Sequence, residues 1–429
     1  MHPTRLSFFT NFNQFYDYLL ELGLFKMDLS LTRVQQALWE LKIKPNFLPI
    51  VHVLGTNGKG STAHFLASLA QANGLRTGLF TSPHLVSVKE RIKINNKELE
   101  DSIWLEAANQ ILPLHHKLKF TYFEYLFLLA CLIFKRHKVD LAIFEAGLGG
   151  TYDATNILEP ILTIFTPISL DHTNVLGKTI SQVAQDKAGA IKHNPVISAS
   201  QPLAALDVLK STCARQKTPF IYAPNLCQPN ESNYSLTYLP WNLELKILPQ
   251  IFYFQNQNLQ TALVSFAYLL KYFDLSQDSK LMAQAINQTF IPARFQRVSQ
   301  SPEIFLDVAH NPNGFKLLLS TMHKLNLEPE IIIFSCMQDK DYAQIVQILT
   351  QTKAQLFFCE LKDYDRALTY TQLQQLPLAQ KITLLGSVKN ALEFSQNQKQ
   401  RVLFCGSFYL LGELLNIKPE WLKKLKPKK

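Results

Sequence analysis

What this chain lacks narrows it first. Its longest strongly apolar run, Tyr125–Phe134, falls far short of the roughly 20 residues that a membrane helix needs. The opening residues MHPTRLSFFTNF have neither the continuous apolar core nor the small-residue cleavage site of a secretory signal. Six cysteines stand at 131, 213, 227, 336, 359 and 405 without CxxC spacing, so they read as buried reduced thiols and not as a disulfide frame or zinc site. Cytoplasm is the expected compartment. No arginine-rich stripe with interleaved aromatics is present, which argues against nucleic acid. The net charge of +10 is no exception: residues 418–429 hold six lysines and one glutamate, giving +5 to that tail and leaving +5 on the other 417 residues. A modest basic excess suits polyanionic small ligands. Only 18% of residues are charged and 47% are hydrophobic, the composition of a globular protein with generous cores. At 429 residues, two or three domains are expected.

The most informative stretch that is present is Val51–Thr62, VHVLGTNGKGST. An apolar strand runs into a turn where Gly55, Gly58 and Gly60 free the backbone to present N–H groups to an anion. Lys59 adds a positive charge, and Ser61 or Thr62 offers a hydroxyl at the start of the next helix. Gly60 separates Lys59 from Ser61, a departure from strict nucleotide-loop spacing, so an ordinary strand-to-helix turn is the competing reading. A helical pattern (Phe65, Leu66, Leu69), Gly74 and a strand at Thr77–Thr81 complete a βαβ unit whose loop lies where such sheets bind ligands.

Residues 12–44 carry a helical pattern. A helix over about 122–137 leads to strands Leu141–Phe144 and Ile161–Phe165, with short strands at Pro195–Ser198 and Phe220–Tyr222. Residues 224–250 read as irregular or β-like, and a helix spans about 258–272. A seam falls near Pro292–Ser301. Alternation then restarts: strand 304–308, helix from 314, strand 331–335, helix 341–350, strand 355–359, helix 388–396 and strand 401–405, which enters a helix through Gly406-Ser407. The chain is thus an α/β protein of two domains with largely parallel sheets.

Four further fragments carry chemistry, each beside a plainer reading. Glu145 follows the apolar LAIF in FEAGLGGTYDATN, well placed to hold Mg²⁺ on phosphates or simply a surface acid beside a turn. His172 follows another strand in LDHTNVLG; a structural histidine is its default, since Mg²⁺ prefers oxygen. Lys187 in DKAGAIK is a surface lysine or, if buried, a low-pKa amine able to capture CO₂ as a carbamate. DVAHNPNG, Asp307–Gly314, offers Asp, His and Asn on one loop to a ribose or phosphate, or is an Asn-Pro turn opening a helix. Arg294, at the seam, has the reach to touch phosphates from the second half.

Taken in order, HVLGTNGKGST, TSPHL (Thr81–Leu85) with ERIKIN (Glu90–Asn95), TYFEY (Thr121–Tyr125), FEAGLGGTYDATN, LDHTNVLG, DKAGAIK, Asn258, PARF (Pro292–Phe295), DVAHNPNG, Asp339–Asp341 and GSFYLLGE (Gly406–Glu413) resemble the folylpolyglutamate synthase/dihydrofolate synthase family of the Mur ligase superfamily. The resemblance spans roughly residues 15–415. It implies a P-loop-type Mur-ligase central domain with a parallel sheet, placed at 1–293, a Rossmann-like α/β domain at 294–415 and a basic tail at 416–429. It also implies an ATP-dependent amide ligase. Thr56, Asn57, Gly58, Lys59, Gly60 and Ser61 match the phosphate loop, with Asn258, Arg294 and Asp307 as further ATP contacts. Ser82, Glu145 and His172 match ligands for two Mg²⁺ ions, and Lys187 matches a lysine carried as a carbamate. Thr121, Tyr122, Phe123, Glu124, Tyr152, Asp153 and Ala154 match segments that touch the pterin. Lys59, Lys187 and His310 form the candidate catalytic set. Departures from the pattern are Leu54, Asn96, Thr151, Phe254 and Cys336; Thr151 stands where many relatives have an arginine.

The implied chemistry turns a carboxylate into an acyl phosphate, which the α-amine of L-glutamate attacks. The implied partners are dihydropteroate, reduced folates, L-glutamate and ATP, with no nucleic acid and no membrane, and the expected state is a monomer. The residues are compatible with both family activities, a first glutamate on dihydropteroate or a longer chain on folate. Rival readings are another Mur-type ligase, a nucleotide-hydrolysing switch, and a basic nucleic-acid protein.

Overall fold

The computed structural model describes residues 8–23, 28–231, 235–238, 240 and 243–423. Two large sheets organise it. The first has eight strands in the order Lys97–Glu98, Ile92–Ile94, Thr77–Phe80, Leu141–Glu145, Ile50–Leu54, Leu162–Phe165, Val196–Ser198 and Phe220–Tyr222. From Thr77–Phe80 onward all pairings are parallel, while the two strands at the other edge are antiparallel. Ile50–Leu54 sits in the middle and is buried at every position, as its unbroken apolar run requires when helices cover both faces. Lys59–Ala72, Pro249–Tyr272 and Ser279–Gln288 pack on one face. Tyr122–Arg136, Asp101–Leu118, Phe12–Glu21 and Thr32–Glu40 fill the other with an aromatic core around Phe15, Trp104 and Tyr125. A three-stranded antiparallel sheet, Cys227–Asn230, Ser235–Tyr238 and Leu243–Lys246, occupies the stretch read as β-like.

The second sheet has six strands: Gln296–Gln300, Glu303–Asp307, Val402–Cys405, Ile331–Phe334, Gln355–Cys359 and Ile382–Gly386. All pairs are parallel except the first. Helices on its two faces bury separate clusters, one around Phe404, Leu410 and Leu414 and one around Phe315, Phe334 and Phe358.

The structure differs from the sequence reading in several elements. The pattern over 12–44 resolves into two helices, Phe12–Glu21 and Thr32–Glu40. The helix expected from 258 begins at Pro249, where proline fits the first turn; the run Gln255–Gln260 is too rich in amides to show a period. Strands Gln296–Gln300 and Ile382–Gly386 went unread because both are sheet edges with a weak apolar pattern. Residues 416–423, expected as tail, are built into the second half: Trp421 is buried and its carbonyl accepts the Gln296 amide at 2.6 Å. Residues 424–429 lie outside the described residues. Among the described residues, no helix is long and apolar enough to cross a membrane.

One segment links the halves. Residues 82–90 leave the first sheet, yet Leu85 and Val86 pack against the second half's core. The Glu90 carboxylate gathers the N–H groups of Leu85, Val86 and Ser87 at 2.7–2.9 Å. Helix Phe408–Ile417 passes so close that a Cβ on Gly412 would lie 2.3 Å from the Leu85 carbonyl oxygen.

Candidate functional site

The carboxyl ends of both sheets face a single cavity of about 530 Å³. From the first sheet come the loop after Leu54, Ser82 after Phe80, Glu145 at its strand end, and Asp171-His172 beyond Phe165. From the second come Asp307 at the end of its strand and Lys340 and Ser407 beyond theirs. Open α/β sheets bind ligands at such carboxyl ends. Every residue that the family resemblance placed in the site lines this cavity except Tyr122.

The turn after Leu54 is shaped by two glycines with positive φ, Gly55 at 138° and Gly58 at 85°. A Cβ at Gly58 would fall 2.1 Å from Asn258 Oδ1, so the helix carrying Asn258 presses directly on the loop. The N–H groups of Thr56 and Asn57 both point to the Pro167 carbonyl and are spent on the loop itself. The donors left for an anion are therefore those of the N-cap Gly58 and of Lys59, Gly60 and Ser61 at the first turn of helix Lys59–Ala72, whose N–H groups have no partner within the helix. Lys59 Nζ rests 3.3 Å from the Thr56 carbonyl.

Glu145 is buried, and burial raises its pKa against the pull of Lys59, the Ser82 N–H, Arg294 and Arg91. Its hydrogen-bond partner among the described residues is the Ser82 N–H, 3.0 Å away. A buried carboxylate with free lone pairs beside the loop fits a hard divalent cation, and Ser82 adds an oxygen. No group of three or more His, Cys, Asp and Glu side chains with metal-binding geometry exists among the described residues, so a cation here would draw further ligands from phosphate, water or a modified side chain.

Lys187 is 4% exposed. Burial, and secondarily the charge of Lys59, lower its pKa to about 7 despite Asp186, Asp153 and Asp171. Its backbone is clamped under Gly150, whose Cβ would lie 2.6 Å from the Lys187 carbonyl oxygen. A buried amine that is partly neutral near pH 7 fits a carbamate, which forms only on the uncharged form. Thr151 is tied to the same helix: its N–H and hydroxyl both donate to the Asp186 carbonyl, at 3.0 and 2.8 Å.

His172 holds a left-handed backbone, φ 48°, and its ring faces the second half. Burial and Lys340 lower its pKa to about 4. Lys340 Nζ stands 3.2 Å from His172 Nε2 and donates to Asp171 Oδ1 at 2.6 Å. Burial alone would raise Asp171, but His310, Lys340 and His172 hold it well below the usual carboxylate range. Asp339 approaches His172 and pairs with Arg366 at 2.7 Å. Asn311 caps helix Pro312–Lys324 through the Gly314 N–H while its amide donates to Asn57 Oδ1 at 2.8 Å. Lys340 and Arg366 were not singled out by sequence, although Lys340 lies inside the noted Asp339–Asp341; Asp171 and Asn311 lie in LDHTNVLG and DVAHNPNG, where the residues gave no hint of their partners across the cleft. Asp307, its pKa raised by burial to about 6 against the pull of Arg294, accepts the N–H groups of Phe295 and Ala309. Arg294 lies over the Phe408 ring at 5.3 Å.

In the far arm of the cavity, Thr121 caps helix Tyr122–Arg136 with a reciprocal Glu124 bond. Glu124 is also held by Arg33, 2.9 Å from each oxygen. Phe123 lines the cavity, its ring packed on Phe80 and lying where a Cβ on Gly147 would be. Tyr122 turns the other way into the core, so of the two rings expected to stack on a flat heterocycle, Phe123 is the one positioned to do so. Asp153 already accepts from the Leu148 N–H on one oxygen and from Thr155 on the other.

Residues 53–202 match the Mur ligase middle domain and residues 293–408 the Mur ligase glutamate ligase domain. The chain is 30% identical over 403 residues to the dihydrofolate synthase/folylpolyglutamate synthase of Bacillus subtilis, covering 90% of this chain and 94% of that one. Among solved structures, FolC of Escherichia coli in complex with DHPP and ADP is 28% identical with a TM-score of 0.84, covering 97% and 99% of the two chains. The Yersinia pestis bifunctional enzyme complexed with AMPPNP and a Mn ion is 27% identical with a TM-score of 0.83, covering 98% and 100%. The chain belongs to the dihydrofolate synthase/folylpolyglutamate synthase family, ATP-dependent ligases of folate metabolism built on Mur ligase domains.

Proposed function

We propose that this protein joins L-glutamate to dihydropteroate, to reduced folates, or to both, using ATP and Mg²⁺. The single observation that carries the reading is the junction of three features in one cavity: an anion-binding helix start at Lys59–Ser61, a buried acid at Glu145, and a buried, partly neutral Lys187. The relatives' complexes with ADP, AMPPNP, DHPP and Mn support ATP, a divalent cation and a pterin acid as ligands.

In this reading the helix start and Lys59 hold the ATP phosphates, and Arg294 offsets charge on the transferring group from the other side. Thr56, Asn57 and Gly58 shape that loop, and Asn258 and Asp307 meet the nucleotide. Glu145, Ser82 and His172, with Lys187 as a CO₂-derived carbamate, would hold two Mg²⁺ ions; when bound, these supply charge to stabilise an acyl phosphate and its leaving phosphate. His172 would first have to exchange its Lys340 neighbour for the metal. His310 stands beside Asp171, 3.6 Å away, and in this reading would receive a proton from the attacking amine. Phe123, with Thr121, Glu124, Tyr152, Asp153 and Ala154, would hold the pterin, with Tyr122 behind them. Closure of 294–415 on 1–293 excludes water from the reactive acyl group. The reading includes a cytoplasmic monomer.

The direct assay supplies Mg-ATP, L-glutamate and either dihydropteroate or a reduced folate, and resolves the products by mass. Phosphate release should require both organic substrates. Release indifferent to the pterin acid would overturn the reading in favour of a nucleotide switch.

A further inference from the structure

The cavity contains a cation with no assigned task. Arg91 is 8% exposed yet lines the cavity. A buried guanidinium ordinarily meets a carboxylate, because leaving the charge unpaired away from water is costly. Here no carboxylate comes within ion-pair distance among the described residues. The one side-chain hydrogen bond of the guanidinium among those residues runs from Nε to His84 Nδ1, at 2.8 Å. That ring stays neutral, its pKa lowered to about 3 by burial and by Arg91. The fork of Nη groups is thus left for the cavity, with the Tyr122 ring 5.2 Å from Cζ. The backbone is fixed: the Arg91 carbonyl accepts the Thr81 N–H at 3.0 Å, and Ser87 and Glu90 form a capping box one turn earlier. The group is pre-organised and has no ion-pair partner among the described residues.

Its place sets its ligand. Arg91 lies against Tyr122, whose neighbour Phe123 lines the pterin arm, and it senses the charge of Glu145 beside the phosphate loop. It lines the same cavity as Phe123 and the phosphate loop, within reach of a pterin acid that spans the two. The geometry points to Arg91 as the residue that binds and orients the carboxylate of the acceptor acid, holding it toward the transferring phosphoryl group. Thr151 offers no charge for this purpose. A planar fork matches a carboxylate through two parallel bonds, which fixes the direction of the nucleophilic oxygen as well as its position. This inference rests on the proposed acceptor class.

The test compares dihydropteroate with its carboxamide, binding measured by calorimetry with ADP present, for the wild-type protein, Arg91→Met and Arg91→Lys. The wild type should prefer the acid by about tenfold or more, the scale of a charge-assisted bond. Arg91→Met should bring the ratio near one while carboxamide affinity holds, and Arg91→Lys should retain part of the preference. In turnover, KM for the acceptor should rise while KM for L-glutamate stays within about twofold. The inference is overturned if Arg91→Met keeps the preference, if acid and carboxamide weaken equally (a purely structural role), or if only KM for L-glutamate moves. If Arg91→Met does not fold, an unaltered ratio in Arg91→Lys, where the fork is gone, overturns it. A wild-type protein that binds neither compound sinks the acceptor class itself, and the subsite with it.

Discussion

The two halves furnish one cavity by different means. In the first half the groups are fixed by backbone: glycine turns, a helix start, and strand ends where neighbouring chain segments almost touch. In the second they are held by side chains reaching across the cleft, above all Lys340 to Asp171 and Asn311 to Asn57. Backbone-built sites tolerate no added atoms, whereas side-chain bridges can open and re-form with little else disturbed. The first half is thus suited to hold phosphate in one geometry, and the second to come and go.

The contrast can be broken most severely at Lys187. Lys187→Ala should lower turnover by about 10³-fold, the scale of losing a buried electrostatic group, with circular dichroism unchanged; wild-type turnover would reject its role. The cleft comes next. Lys340→Met leaves Asp171 buried without its cation and should cost about 3 kcal/mol in denaturant unfolding, and adding Asp171→Asn should recover much of that. Full additivity in that cycle would show that the bridge carries no coupling. Gly58→Ala probes the backbone side. Its φ and the clash with Asn258 should lower stability by about 1–2 kcal/mol and weaken ADP binding, measured by calorimetry, more than Lys340→Met does.

The smallest effect is one of pH. Lys187 has a folded pKa of about 7, below its ordinary value, so the unfolded chain binds more protons between there and about 10.5. Stability should rise with pH across that window. The burden on the fold is complete below about pH 7, and Lys187→Met should remove the slope. Added bicarbonate should likewise raise the melting temperature of the wild type near pH 7 and not that of Lys187→Met, if the amine takes up CO₂.

Much of the first half was legible because its chemistry is local. VHVLGTNGKGST is a strand, a turn and a helix start in twelve residues, and LAIFE ends on its acid. Tyr122 and Phe123 were legible as a pair of rings but not as a pair with opposite fates, since their helix start sends one to the core and one to the cavity. The cross-cleft partners were the hardest. Asp171 and Lys340 are 169 residues apart, and nothing near either one announces the other. Arg91 lay inside a quoted motif, but its lack of a carboxylate shows only once every neighbour has been placed.

The strap through Leu85 and Val86 ties these halves mechanically. Its first residue donates an N–H to Glu145, and its middle is wedged beneath Gly412 of the opposite lobe. Any swing of the helix bearing Gly412 therefore tugs the Ser82 end of a short tether. Opening the cleft to release product would loosen the grip on a cation in the same movement, so that emptying the nucleotide pocket and unseating its ion become one event.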